Sequence, residues 1–91
     1  MSATVRIPTP LRNVTGGAAT VAVDGNTVGE VVTSLDAVHP GVAERILDDG
    51  GKVRRFVNVF VDDEDIRFAG GLDTTVPDGA TVSIIPAVAG G

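Results

Sequence analysis

A chain of 91 residues with net charge −5 and no cysteine fits one domain that buries roughly 60 to 65% of its unfolded surface. It has no disulfide framework, thiolate zinc site or cysteine-ligated iron-sulfur cluster. The basic residues are scattered apart from Lys52, Arg54 and Arg55, no segment approaches the roughly 20 apolar residues of a bilayer span, and Met1 to Arg6 lack the apolar run of a signal peptide. The expectation is a soluble, cytoplasmic protein, monomeric when free, with neither nucleic acid nor membrane as a partner.

Thr4-Val5-Arg6-Ile7 alternates polar and apolar before Pro8 and Pro10, and Ala19 to Asp24 alternates again before the turn pair Asp24-Gly25, which predicts two strands. Their connection is too long for a tight hairpin, and its Leu11 and Val14 are expected against the sheet edge. Thr27 followed by Glu30 is a capping box. Val28, Val31, Val32, Leu35 and Val38 then recur at helical spacing, and His39-Pro40 ends the helix. Val42, Ile46 and Leu47 predict another turn or two of helix before the loop Asp48-Asp49-Gly50-Gly51.

From Phe56 to Val61 the period changes to two. A central strand is predicted, with Val57, Val59 and Val61 on one face and Phe56, Asn58 and Phe60 on the other. Ile66-Arg67-Phe68 reads as a short strand after the acidic turn Asp62 to Asp65. Val76-Pro77-Asp78-Gly79 is a turn signature, and Thr81 to Ile85 is the closing strand before Pro86.

The order strand, strand, helix, strand, short strand, strand is α+β, with a mixed sheet of four to five strands on one main helix. It matches the ubiquitin-like β-grasp, in which the first and last strands lie side by side. The expected organisation is a domain over 1–86 and a flexible C-terminal tail over 87–91.

His39 is the single histidine, so no nucleophilic triad or histidine metal cluster is available. Asp62-Asp63-Glu64-Asp65 lacks the alternation and loop glycine of a calcium site and reads as a solvated turn. No metal site is expected. The pairs Gly16-Gly17, Gly50-Gly51 and Gly70-Gly71 read as turns, whereas Gly90-Gly91 follows the last strand. Its α-carboxylate is the candidate reactive group, with Gly91 the acceptor and Gly90 beside it. Glycines without side chains suit passage through a narrow channel, and extended, Ala87 to Gly91 span roughly 17 Å at about 3.4 Å per residue. The face opposite the helix is expected to carry Phe60, Ser83 and Ile85, with an exposed aromatic near the tail as a docking anchor. Phe60, Ile85, Pro86, Ala87, Val88 and Ala89 are the candidate partner-binding residues.

Ile85-Pro86-Ala87-Val88-Ala89-Gly90-Gly91, preceded by Val57 to Asp65 and then Ile66-Arg67, resembles the ubiquitin-like prokaryotic sulfur-carrier proteins over nearly the whole chain. With Ile7-Pro8-Thr9, it is most similar to the actinobacterial CysO type of cysteine biosynthesis. The small subunit of molybdopterin synthase and the thiamin sulfur carrier are more distant. The resemblance implies that Gly91 is adenylated and converted to a thiocarboxylate by an adenylyltransferase/sulfurtransferase of the ubiquitin-activating type. A PLP-dependent cysteine synthase would then accept the sulfur, and a zinc metalloprotease would release the product. ATP, PLP and zinc would belong to those partners, with no cofactor on this chain, which is a protein co-substrate and not an enzyme. Carriers of this shape also serve molybdenum cofactor, thiamin, thiolated tRNA and natural products. Two further readings are a modifier joined to lysines and a non-covalent β-grasp interaction module.

Overall fold

The computed structural model describes residues 2–55 and 57–86. Five strands form one mixed sheet, β1 (Ser2–Arg6), β2 (Thr20–Asp24), β3 (Val57–Val61), β4 (Glu64–Asp65) and β5 (Thr81–Pro86), in the spatial order β2-β1-β5-β3-β4. The helices are α1 (Val28–Val38) and α2 (Val42–Ile46). Strand β5 runs parallel to β1 and antiparallel to β3. The last strand is therefore clamped on both sides, as the β-grasp order requires.

Alternation along the strands makes the two faces unlike. Ala3, Val5, Val57, Val59, Val61, Val82 and Ile84 point into the core, where they meet Val28, Val31, Val32 and Leu35 of α1. Each fully buried valine or leucine contributes about 1.5–3 kcal/mol from its removal from water. Leu11 and Val14 pack on the core's margin as expected. Gly25 allows the helix to sit close over the end of β2, because a Cβ there would meet Val31 Cγ2 and its backbone nitrogen at 2.8 Å.

Thr27 caps α1, its hydroxyl accepting from the Glu30 amide at 3.2 Å. The Glu30 carboxylate returns to the amide of Asn26 at 3.0 Å, one residue earlier than a capping box prescribes. Val38, assigned by spacing to the apolar stripe, is 58% exposed. Its position lies past Leu35, the last α1 residue in the core.

The second helix borrows its cap. Asp36, still on α1, accepts from the amides of Gly41 at 3.0 Å and Ala43 at 3.1 Å, and Gly41 makes the bend at φ 102°. Leu47, expected in the helix, is extended and bridges to Val53 across the loop.

Ile66 to Phe68 forms a 3-10 turn, not the strand that its composition predicts. The Asp65 carboxylate accepts from the Arg67 amide at 2.9 Å, which turns the chain away from the ladder. Ile66 then drops into the core and Phe68 stands 87% exposed. At the turn before β5, the Ala80 amide donates to Pro77 and the Asp78 carboxylate accepts from the Ser2 amide at 2.8 Å.

Candidate functional site

The site grows from the unequal lengths of two ladders. Pairing of β5 with β1 ends at Arg6↔Ser83, while pairing with β3 carries on to Val57↔Pro86. Strand β5 thus advances beyond its β1 neighbour, held from one side. The candidate reactive residue Gly91, with Gly90 and the partner-binding candidates Ala87, Val88 and Ala89, lies outside the described residues, as does Phe56. Pro86 is placed as the final residue of β5.

On the face opposite α1, register brings Phe60 beside Ser83 and Asn58 beside Ile85. The expectation of an exposed aromatic is only partly met. Phe60 and Ser83 are half-buried, and it is Ile85 that offers an exposed apolar side chain, at 46%. Arg67 joins this face by donating from its guanidinium to Asn58 Oδ1 and to the Val57 carbonyl.

Where β1 and β5 part, a groove of about 380 Å³ opens. Its walls include Arg6, Pro8 and Arg12 on one side and Ser83, Ile84 and Ile85 on the other. The Arg12 Nε donates to the Ile7 carbonyl at 3.1 Å, which fixes its guanidinium at the end of β1. Sequence reasoning missed this pair. The available signal was alternation, which turns Arg6 outward with Thr4, together with the expected adjacency of the first and last strands.

The basic residues, scattered along the chain, are collected by the fold. A second groove, touching Ile84 and Val57, includes Arg45, Arg54 and Glu44 in its walls, and Arg54 Nε donates to the Glu44 carbonyl at 2.9 Å. A third, largely apolar, lies between β3 and the turn that follows β4 and is bordered by Lys52 and Arg67. At the opposite end of the sheet, one groove is lined by Asp24, Glu30 and Asp73 and another by Asp62, Asp63 and Glu64, with no basic residue in either. Among these grooves the arginines lie where β5 ends, with Glu44 beside Arg45 and Arg54.

The acidic turn is spent on the backbone. Asp62, left-handed at φ 54°, accepts from the Thr81 amide at 3.1 Å and donates its own amide to the Thr81 carbonyl at 2.7 Å. In the loop after α2, Asp48 accepts from the Gly50 and Lys52 amides. The Lys52 amide is the main cause that lowers its pKa, with help from Gly50 and from the charges of Arg54 and Lys52 against the opposing effect of desolvation. Among the described residues no group of acids and histidine is arranged to hold a metal ion, and no helix is long and apolar enough to cross a membrane.

The sequence profile of the ThiS family matches residues 5–91. The chain is 52% identical to the sulfur carrier protein CysO of Mycobacterium tuberculosis (strain ATCC 25618 / H37Rv) over 93 aligned positions that cover all of both proteins. It superposes on the crystal structure of Mycobacterium tuberculosis CysO with a TM-score of 0.91, at 50% identity, over 94% of this chain and 99% of that one. A chain in the crystal structure of the Amycolatopsis orientalis BexX/CysO complex matches with a TM-score of 0.93 and 48% identity, over 98% and 99% of the two chains. Small archaeal modifier protein 3 of Haloferax volcanii is 41% identical over 68 residues, which are 75% of this chain and 73% of that protein.

Proposed function

This chain belongs to the ThiS family and is a sulfur carrier, and we propose that it carries sulfur as a thiocarboxylate on Gly91, for cysteine biosynthesis. The observation that carries this reading is the 52% identity to CysO across the whole of both proteins. A domain over 1–86 presents a tail over 87–91 to successive partners.

A carboxylate resists substitution because it is anionic and would expel an oxide. Its oxygen attacks the α-phosphorus of ATP on an adenylyltransferase/sulfurtransferase, expelling pyrophosphate and leaving an acyl adenylate. A sulfur nucleophile then adds to the acyl carbon and AMP departs. The thiocarboxylate sulfur attacks the β-carbon of an aminoacrylate held by a PLP-dependent cysteine synthase. An acyl shift from sulfur to nitrogen leaves cysteine amide-linked to Gly91, and a zinc metalloprotease hydrolyses that bond. ATP, PLP and zinc belong to the partners; the chain supplies the carboxylate, and Ile85 with half-buried Phe60 supplies apolar contact at the strand from which the tail leaves. The carrier is a monomer between these encounters and works in the cytoplasm.

Incubation with the cognate adenylating sulfurtransferase, ATP and a sulfide donor should exchange one oxygen for sulfur, read by intact mass spectrometry. Deletion of Gly91 should abolish the exchange and leave thermal stability nearly unchanged. Sulfur acquisition by the shortened chain would refute the assignment. The 41% identity to a small archaeal modifier protein supports a second reading, conjugation of Gly91 to lysines. Branched Gly-Gly on target lysines in native cells would establish it.

A further inference from the structure

The groove at the β1–β5 divergence is built for an anion, although the chain as a whole carries −5. Arg6 and Arg12 line it together, no carboxylate among the described residues lines it, and Ile85 adds an apolar wall. Arg12 is half-buried and tethered through Nε to the Ile7 carbonyl. A guanidinium held in this way meets a carboxylate in a planar, two-pronged fashion at less entropic cost than a free side chain.

We propose that this groove receives a carboxylate-bearing segment of the partner that activates the tail. The inference rests on the proposed carrier function. Two anions compete for such a groove in principle, the nucleotide and an acidic stretch of protein, and distance favours the protein. Five residues separate Pro86 from the Gly91 carboxylate, a reach of roughly 17 Å at about 3.4 Å per residue. With the tail threaded extended into the activating enzyme, the nucleotide meets that carboxylate at up to this reach from the groove, while the protein surface around the tail's entrance lies against it. The groove around Arg45 and Arg54, also lined by Ile84, puts two further arginines, together with Glu44, on the other side of β5.

The test uses the full chain and its cognate adenylating sulfurtransferase, with association measured by stopped flow across a range of salt. The double variant Arg6→Glu with Arg12→Glu should associate about tenfold more slowly or worse at low salt, with a flattened salt dependence. The charge-conserving pair Arg6→Lys with Arg12→Lys should stay within about threefold of the parent rate. Circular dichroism and thermal midpoints identify any variant that has lost the fold, and the neutral pair Arg6→Gln with Arg12→Gln, expected to associate about threefold more slowly or worse at low salt, then carries the comparison, with equal rates overturning the inference. Equal rates and equal salt dependence for the parent and the glutamate pair would overturn the inference. So would binding of inorganic pyrophosphate to the carrier alone, at constant ionic strength and with perturbation confined to the resonances of Arg6 and Arg12, which would give the groove to a phosphate anion. Intact mass separates the two levels: slow association of the glutamate pair with full thiolation at saturating enzyme supports the groove. Normal electrostatics in a parent chain that never acquires sulfur would sink the carrier chemistry and leave the groove assignment standing.

Discussion

The two ends of the sheet share the same strands and use their charges in opposite ways. At the end where β5 begins, three of the acids work on the backbone: Asp62 accepts from Thr81, Asp78 from Ser2, and Glu30 from Asn26. These bonds hold turns and a helix cap, and they would be wanted in any domain of this topology. At the end where β5 finishes, Arg6, Arg12, Arg45 and Arg54 line open grooves beside the strand. A net charge of −5 hides this division. Charge used to close turns says little about partners, whereas charge left facing solvent beside a projecting strand says a good deal.

The strongest challenge to treating the ends as separate in function yet joined in folding is a cavity between them. Leu35 is fully buried, and Leu35→Ala should cost about 3 kcal/mol or more. Urea unfolding followed by hydrogen exchange should show both ends opening together. Protection lost at one end alone would mean that the sheet is not one cooperative unit.

A smaller effect should be confined to the acidic end. Asp62→Ala removes the acceptor of the Thr81 amide and places alanine at φ 54°, for a loss of about 1–2 kcal/mol. Sulfur acquisition at saturating enzyme should be unchanged, as intact mass would record. A defect in thiolation without loss of stability would give the acidic turn a role in docking and erase the contrast.

The least change is expected at Asp48. Its pKa is lowered from 3.8, chiefly by the Lys52 amide. Its contribution is therefore present above the ordinary value and fades as pH falls through the lowered one. The carboxylate is fully solvent-exposed, so the effect should be local: amide resonances of Gly50 and Lys52 shift in the acid range while the rest of the sheet stays put. A titration of those amides centred above the ordinary value would contradict the assigned direction.

Much of the fold was legible because its causes are short-ranged. The cap at Thr27 acts over three residues, the valine alternation in β3 sets inside from outside one residue at a time, and the turn at Pro77-Asp78-Gly79 is closed locally by the Ala80 amide on the Pro77 carbonyl. Errors came where a neighbour intervened. Ile66-Arg67-Phe68 has strand-like composition, yet the Asp65 carboxylate captures the Arg67 amide and curls the segment. Asp36 caps a helix that is not its own, a relation that depends on how α1 and α2 meet. Of the candidate site, Ile85 was placed correctly on the outer face, and Phe60 was placed there too but proved half-buried.

By itself the sequence determined where the two helices and the longer strands lie and which side of each strand faces inward. Periodicity, capping and composition all act between near neighbours in the chain. Only the tertiary structure decided that Arg6 lies beside Ser83 and that Arg12 shares a groove with Ile85. Those juxtapositions follow from parallel pairing of the first and last strands, a contact between distant parts of the chain whose register local pattern does not specify.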